Sequence, residues 1–236
     1  MVFVSKNLPS DYLEGLRSHG LDLILLPSDP RLSPPISSHP DMLLFVDQGV
    51  LITDCWYYET LAKEEINIAC HHHKLQLILT DEPPQKEYPN DIRFNALVLG
   101  DLLFCHPTHT SPTVLQLARR KGVTCVPTKQ GYARCSACPI STDAIITADP
   151  SIADAAKKND LDVCFIHQGH ILLPGYSYGF IGGCCGLQES KLFFCGDPAL
   201  HPDGEIMLSF VRKHGLIPII LPGLPLLDAG SLLFIS

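Results

Sequence analysis

Apolar residues fall into short runs separated by turn signals and by segments of helical spacing, and the order of these pieces recurs along the chain. Asn95–Leu103 (NALVLGDLL) reads as two strands joined by a Gly-Asp turn, Thr113–Lys121 carries helical spacing, and Val123–Pro127 is a short apolar strand. This is a ββαβ unit. The same order follows in Ala137–Ser141, Asp143–Ala148, a helix over Ser151–Lys158 with Ser151 and Asp154 placed as a capping box, and Asp162–Ile166. Another copy runs through Cys184–Leu187, Lys191–Cys195, a helix over Gly204–His214 and Leu216–Leu221. An earlier one spans Met42–Val46, Val50–Thr53, a helix around Tyr57–Ile68 and Leu75–Leu79. The fifth is divided between the ends: Met1–Val4, a helix over Ser10–His19 opening at an N-cap Ser, and Leu21–Leu26, with Ser231–Ile235 supplying the missing first strand.

Polar or Gly-rich segments before each unit mark the repeat at His39, Asn90, Cys135, Gly182 and Asp228, at intervals of 51, 45, 47 and 46 residues. Wrapping from Asp228 past the C-terminus to His39 gives 47. A closed ring has reason to return on the same interval, because pairing the first strand with the last removes exposed sheet edges. The pattern predicts one α/β domain over residues 1–236, a five-fold ββαβ propeller closed by pairing of the N- and C-terminal strands.

Composition agrees with a folded domain and narrows the partners. Hydrophobic residues make up 46% and charged ones 18%, which suffices for a core and argues against disorder. Lys plus Arg number 17 against 25 acidic residues, a formal charge of −8, so no electrostatic footprint for nucleic acid or anionic membrane is expected. No apolar run approaches the ~18 residues that span a bilayer, and the start MVFVSKNLPS lacks a signal-peptide core. A cytoplasmic protein is expected, its ten cysteines reduced thiols.

Five such units closed by the termini resemble the pentein fold, the α/β propeller of guanidine-modifying enzymes and of the ribosome anti-association factor. FIGGCCGLQESKLFFCGD, Phe180 to Asp197, resembles the Gly-Gly strand–turn–strand module of those enzymes. HPDM, YPND, KQGYARCSAC and GHILLPGYSYGFIGG look most like an uncharacterised bacterial branch of the fold. The resemblance implies an axial site with a nucleophilic Cys, a general acid/base His and carboxylates that hold a guanidinium, without a cofactor. In the resembling enzymes the Cys sits just before the last strand; here LLDAGSLLFIS offers Asp228, Gly230 and Ser231 but no Cys.

In a radial propeller, the segments leading into each first strand converge on the axis. Cys135 in GYARCSAC is therefore the candidate nucleophile, since cationic Lys129 and Arg134 nearby would lower its pKa; the alternative is a small buried hydrophobe. Gln130 and Tyr132 are candidate ligand-binding groups. His170, after Gly169, is the candidate acid/base, against a loop His capping a carbonyl. Asp228 is a candidate catalytic carboxylate, and His39, Asp41, Asn90 and Asp91 candidate ligand contacts, against their common use in Asx-turns. Gly182 and Gly183 would line the pocket with backbone.

No metal set stands out. Cys135 and Cys138 form a CxxC that leads into a strand and has no second pair at zinc spacing, while His71–His73 read as a solvated loop. Cys105, Cys125, Cys164 and Cys195 read as core filling. Two functions follow. One is a Cys/His-dependent hydrolase or transferase acting on a small polar, guanidino or amino-acid-like ligand in the axial cavity. The other is a non-catalytic protein-binding ring like the anti-association factor.

Overall fold

The computed structural model describes residues 1–235 and contains five three-stranded sheets. In the first, β1 (Val2–Ser5) lies parallel to β2 (Leu23–Leu26), connected by α1 (Ser10–Ser18). A single turn, α2 (Pro40–Leu43), leads into β3 (Leu44–Asp47), which pairs antiparallel with β4 (Val50–Asp54). The connection α3 (Cys55–Tyr57), a π-helical segment (Tyr58–Ala62) and α4 (Lys63–His73) returns to β5 (Gln76–Thr80), parallel to β4. The third unit comprises β6 (Leu97–Leu99), β7 (Leu102–Cys105), α5 (Pro112–Arg120) and β8 (Thr124–Pro127).

The turn α6 (Ala133–Ser136) opens the fourth, followed by β9 (Ala137–Ser141), β10 (Ala144–Thr147), α7 (Pro150–Lys157) and β11 (Asp162–Phe165). A 3-10 turn at Gly182–Cys184 opens the fifth, with β12 (Cys185–Gln188), β13 (Lys191–Phe194), α8 (Gly204–Lys213) and β14 (Ile217–Ile219). Last comes β15 (Leu233–Phe234), antiparallel to β1 with Val2 opposite Phe234, so the two termini share a sheet.

Burial within each sheet follows strand position. The middle strands β1, β4 and β10 are buried throughout, flanked by a strand on each side and covered by helices, and so read as continuous apolar runs rather than alternating ones. The outer strands are more exposed, and Pro127 and Pro218 sit there, in β8 and β14, where a residue without an N–H interrupts no further pairing. The inner strands face one another: Leu44, Leu97, Pro139, Leu187 and Phe234, one from each of the five, line a common cavity of about 160 Å³. The five-unit ring predicted from the repeat is thus the observed α/β architecture.

Several local expectations are corrected. The helix over 150–157 is capped not by Ser151 but by Asp149, whose carboxylate accepts the Ile152 N–H at 2.9 Å, with Pro150 in the first turn. Pro9, not Ser10, precedes α1, and no side chain caps it. His71–His73 end α4 rather than forming a loop; three imidazoles suit a helix C-terminus, and Lys74, at φ 52°, closes it by donating to the Cys70 carbonyl. Met42 and Leu43 belong to α2, because Pro40 starts a turn that delays the strand to Leu44. Cys125 is exposed on outer strand β8, whereas Cys105, Cys164 and Cys195 are buried.

Candidate functional site

The repeat itself builds the axial layer. Two residues before the inner strands stand Met42, Asn95, Cys135, Gly183 and Ser231. Asn95 donates from Nδ2 to Cys135 Sγ at 3.1 Å and lies 3.4 Å from the Met42 sulfur. Its Oδ1 accepts the backbone N–H groups of Arg134 (2.8 Å) and Cys135 (3.3 Å), fixing the α6 turn. The Cys135 thiol donates to Asp41 Oδ2 at 2.9 Å, and the Ser231 hydroxyl reaches the same oxygen at 2.5 Å. Four of the five units thereby meet through polar contacts that need no intervening water.

The fifth contributes space. A Cβ on Gly183 would fall 1.9 Å from Asp228 Oδ1, so only glycine fits beside that carboxylate. Gly230 has φ +74°, and a Cβ there would lie 2.2 Å from the His39 Cβ, so close approach and backbone shape both require glycine. Asp228 accepts the Phe180 N–H at Oδ2 (2.8 Å) and the Gly230 N–H at Oδ1 (3.0 Å), and Oδ1 lies 3.9 Å from His39 Nδ1.

Above this layer opens a cavity of about 260 Å³. His39, Cys135 and Asp228 line it together with Met42, and its other walls are Ile36, Tyr132, Leu173, Tyr176, Ser177, Tyr178 and Phe180. Tyr132 precedes α6, and the other aromatic residues belong to the long segment between β11 and β12. That segment is fastened to the axis, since Leu172 N donates to Leu226 O, Asp228 N to Leu172 O, and Phe180 N to the Asp228 carboxylate.

Burial sets the electrostatics. It pushes the Asp228 carboxyl up to about 6, against the pull of its two backbone donors, and lowers His39 to about 4 despite neighbouring Asp41. Asp41 is raised by burial, an effect partly offset by His39. The Cys135 thiol lies well above its ordinary value through burial and then the Asp41 charge. Near neutral pH the imidazole is therefore neutral, the thiol protonated and Asp228 largely ionised.

The sequence candidates divide. His39, Asp41, Cys135, Asp228, Gly182 and Gly183 meet at the axis, with Gly182 O accepting from Ser231 and from the Arg134 guanidinium. Tyr132 reaches the cavity, and its hydroxyl donates to Asp91 Oδ2 at 2.6 Å. Gln130 stands behind it, accepting the Tyr132 N–H and donating to Asp149. Asn90 belongs to a turn, bonded through its backbone to Glu87 and Gln85.

Lys129 is exposed, and Arg134 is engaged with the Gly182 carbonyl; neither lowers the thiol pKa as the sequence suggested. His170 is corrected more strongly. It is exposed at φ 61°, its ring against His201 at 5.5 Å, and it is absent from the cavity lining because the segment it begins reaches the axis only further on, through Leu173 to Phe180. His39 is the imidazole beside Cys135.

Neighbouring cysteines separate from this layer: Cys138, Cys184 and Cys185 belong to an apolar core cluster, whereas Cys135 lines the cavity. Asn95, Ser231 and the aromatic residues Tyr176, Tyr178 and Phe180 are not among the sequence candidates, whereas Tyr132 is. Asn95 and Ser231 occupy the position of Cys135 in their own units, a register that alignment of the repeats exposes. His39, Asp41 and Cys135 each present a donor atom, all within 4.8 Å of one another, a set that no sequence spacing signals.

The model of a family of unknown function, DUF6873, matches residues 3–233. No match is found among curated proteins. Among solved structures, the chain is similar to a dimethylarginine dimethylaminohydrolase adduct with S-methyl-L-thiocitrulline (TM-score 0.59, 11% identity, covering 93% of this chain and 92% of that one). It is also similar to the Pseudomonas aeruginosa dimethylarginine dimethylaminohydrolase complexed with citrulline (0.55, 10%, 93% and 91%). An amidinotransferase from Microseira wollei, of a saxitoxin biosynthetic pathway, is a further relative in fold (0.52, 13%, 96% and 81%).

Proposed function

We propose, for a chain that belongs to the DUF6873 family and has the pentein fold, that the axial cavity binds a small amidine or guanidine cation and that Cys135 acts on it as a nucleophile. The observation that carries this reading is the meeting of Cys135, His39 and Asp228 at one cavity, with Asp41 bonded to the thiol, so that the cavity's own groups supply negative charge and no cation. Among the described residues, those lining this cavity include no Lys or Arg. A free amino acid would bring a carboxylate without a partner, so the favoured ligand is a cation with an apolar or aromatic-compatible tail, lying against Tyr132, Tyr176, Tyr178 and Phe180. The enzymes of similar fold include hydrolases and transferases of this substrate class by name.

In this reading Asp228 orients the planar cation, whose charge stabilises the Cys135 thiolate once its proton has passed to His39, while Asp41, bonded to the thiol, positions the sulfur. The sulfur adds to the amidine carbon, and the imidazolium returns the proton to the departing amine. Water, or a second amine, then displaces the sulfur and restores the thiol.

Incubation of the chelator-treated chain with 2-chloroacetamidine tests the proposal. Peptide mapping is expected to show an adduct on Cys135, absent from Cys135→Ser and slowed in Asp228→Asn. No adduct at Cys135 under conditions that label exposed Cys125 would reject it.

A further inference from the structure

We infer that His39, Asp41 and Cys135 form a binding site for a divalent transition-metal ion of the Zn²⁺ class, with a remaining coordination position open to the axial cavity. One atom of each side chain lies within 4.8 Å of the others. All three residues are more than nine-tenths buried, with exposures of 4%, 1% and 3%. Two polar atoms of the group, His39 Nδ1 and Asp41 Oδ1, are buried without a hydrogen-bond partner. Buried polar atoms are ordinarily satisfied, so a pair left open beside a thiol points to something bound between them.

The donor chemistry selects the metal. A sulfur, an imidazole nitrogen and a carboxylate oxygen suit Zn²⁺, whose sites with three protein ligands keep a place for water or substrate; Mg²⁺ and Ca²⁺ require oxygen-rich shells. His39 and Cys135 both line the cavity, which gives the ion a path in. Asp228 Oδ1, 3.9 Å from His39 Nδ1, adds a second carboxylate against the positive charge. On binding, the Cys135 S–H bond breaks, its proton leaves to solvent, and the sulfur lone pair forms the bond to the metal. The inference goes beyond the amidine reading and does not require it. Because both use the same sulfur, the metal and the covalent reaction exclude each other, and the ion acts as an inhibitor of Cys135 chemistry.

Co²⁺ is the probe of choice, because bonding to a thiolate produces a near-ultraviolet charge-transfer band. Titration of the chelator-treated full chain is expected to give that band at one equivalent. It should disappear in Cys135→Ser, weaken at least ten-fold in affinity in Asp41→Asn, and persist in Cys125→Ser, which removes the exposed thiol. Alkylation of Cys135 in the unaltered chain, followed by peptide mass mapping, gives a measurement independent of any variant's folding; saturating Zn²⁺ is expected to slow it at least ten-fold. A band retained in a folded Cys135→Ser, no band in the unaltered chain, or Zn²⁺-independent alkylation would overturn the site. Amidine labelling of the metal-free chain is read separately, so either idea can fail while the other stands.

Discussion

Replacing Asp228 by Asn removes a buried charge while keeping the side-chain shape, and the consequence has a definite sign with pH. Burial raises this carboxyl from its ordinary 3.8 to about 6. Between those values the folded chain holds a proton that the unfolded chain has lost. The stabilising contribution of Asp228 is therefore complete below the unfolded value and disappears as pH rises through about 6. The gap is worth about 3 kcal/mol in total, of which about 1.4 kcal/mol falls between about pH 5 and pH 8.

Asn escapes this penalty but brings its own. Its single carbonyl can accept one of the two N–H groups, from Phe180 and Gly230, that the carboxylate satisfies, leaving the other facing an NH₂ at a cost of about 1–3 kcal/mol at any pH. The variant should thus gain on the unaltered chain by about 1.4 kcal/mol on going from about pH 5 to pH 8, whichever is the more stable at either end. Urea unfolding of both chains with a chelator present measures the difference directly. A stability difference that is flat with pH, or that moves against Asn as pH rises, refutes the assignment of Asp228 as a buried carboxylate with a raised pKa.

Three further outcomes are expected. Gly183→Ala should destabilise the fold by about 2–4 kcal/mol and abolish labelling of Cys135, since the added methyl collides with the Asp228 carboxylate; a normal melting temperature would contradict the close approach at 1.9 Å. Asp149→Ala should cost about 1–2 kcal/mol in chemical denaturation by uncapping α7, whereas Ser151→Ala should cost less; the reverse order would restore the capping box read from the sequence. In thermal-shift assays, a guanidine with an apolar tail should raise the melting temperature more than its carboxylate-bearing counterpart, because among the described residues the cavity lining has no Lys or Arg to receive the acid. Equal shifts would remove the argument from the lining.

The periodic features were legible because they repeat in every unit. The position of Ala137–Ser141 in the repeat predicts a strand, and the structure has it at those residues. Cys135, Asp41 and Asp228 were found by the same route, as members of segments leading to the axis. His170 misled because adjacency to a glycine says nothing of how a long connection travels, and its own loop carries it outward to His201. The thiol environment was misjudged for a related reason. Lys129 and Arg134 are close to Cys135 along the chain, but one is exposed and the other turns to the Gly182 carbonyl, leaving Asp41 as the charged neighbour in hydrogen-bond contact with the sulfur.

What the sequence determined by itself was the ring: the strand–strand–helix–strand order, its spacing and the return of the C-terminal strand to the first. Those properties follow from hydrophobic periodicity and turn chemistry, which act over a few residues and leave their mark in local order. Only the tertiary structure decided which of the candidates meet. His39, Asn95, Cys135 and Ser231 come from four different units, and their distances depend on how five inner strands close about one axis. Burial then changes their chemistry, holding the thiol protonated, the imidazole neutral and a carboxyl near 6, because solvent exclusion is a property of the assembled ring that no single segment possesses.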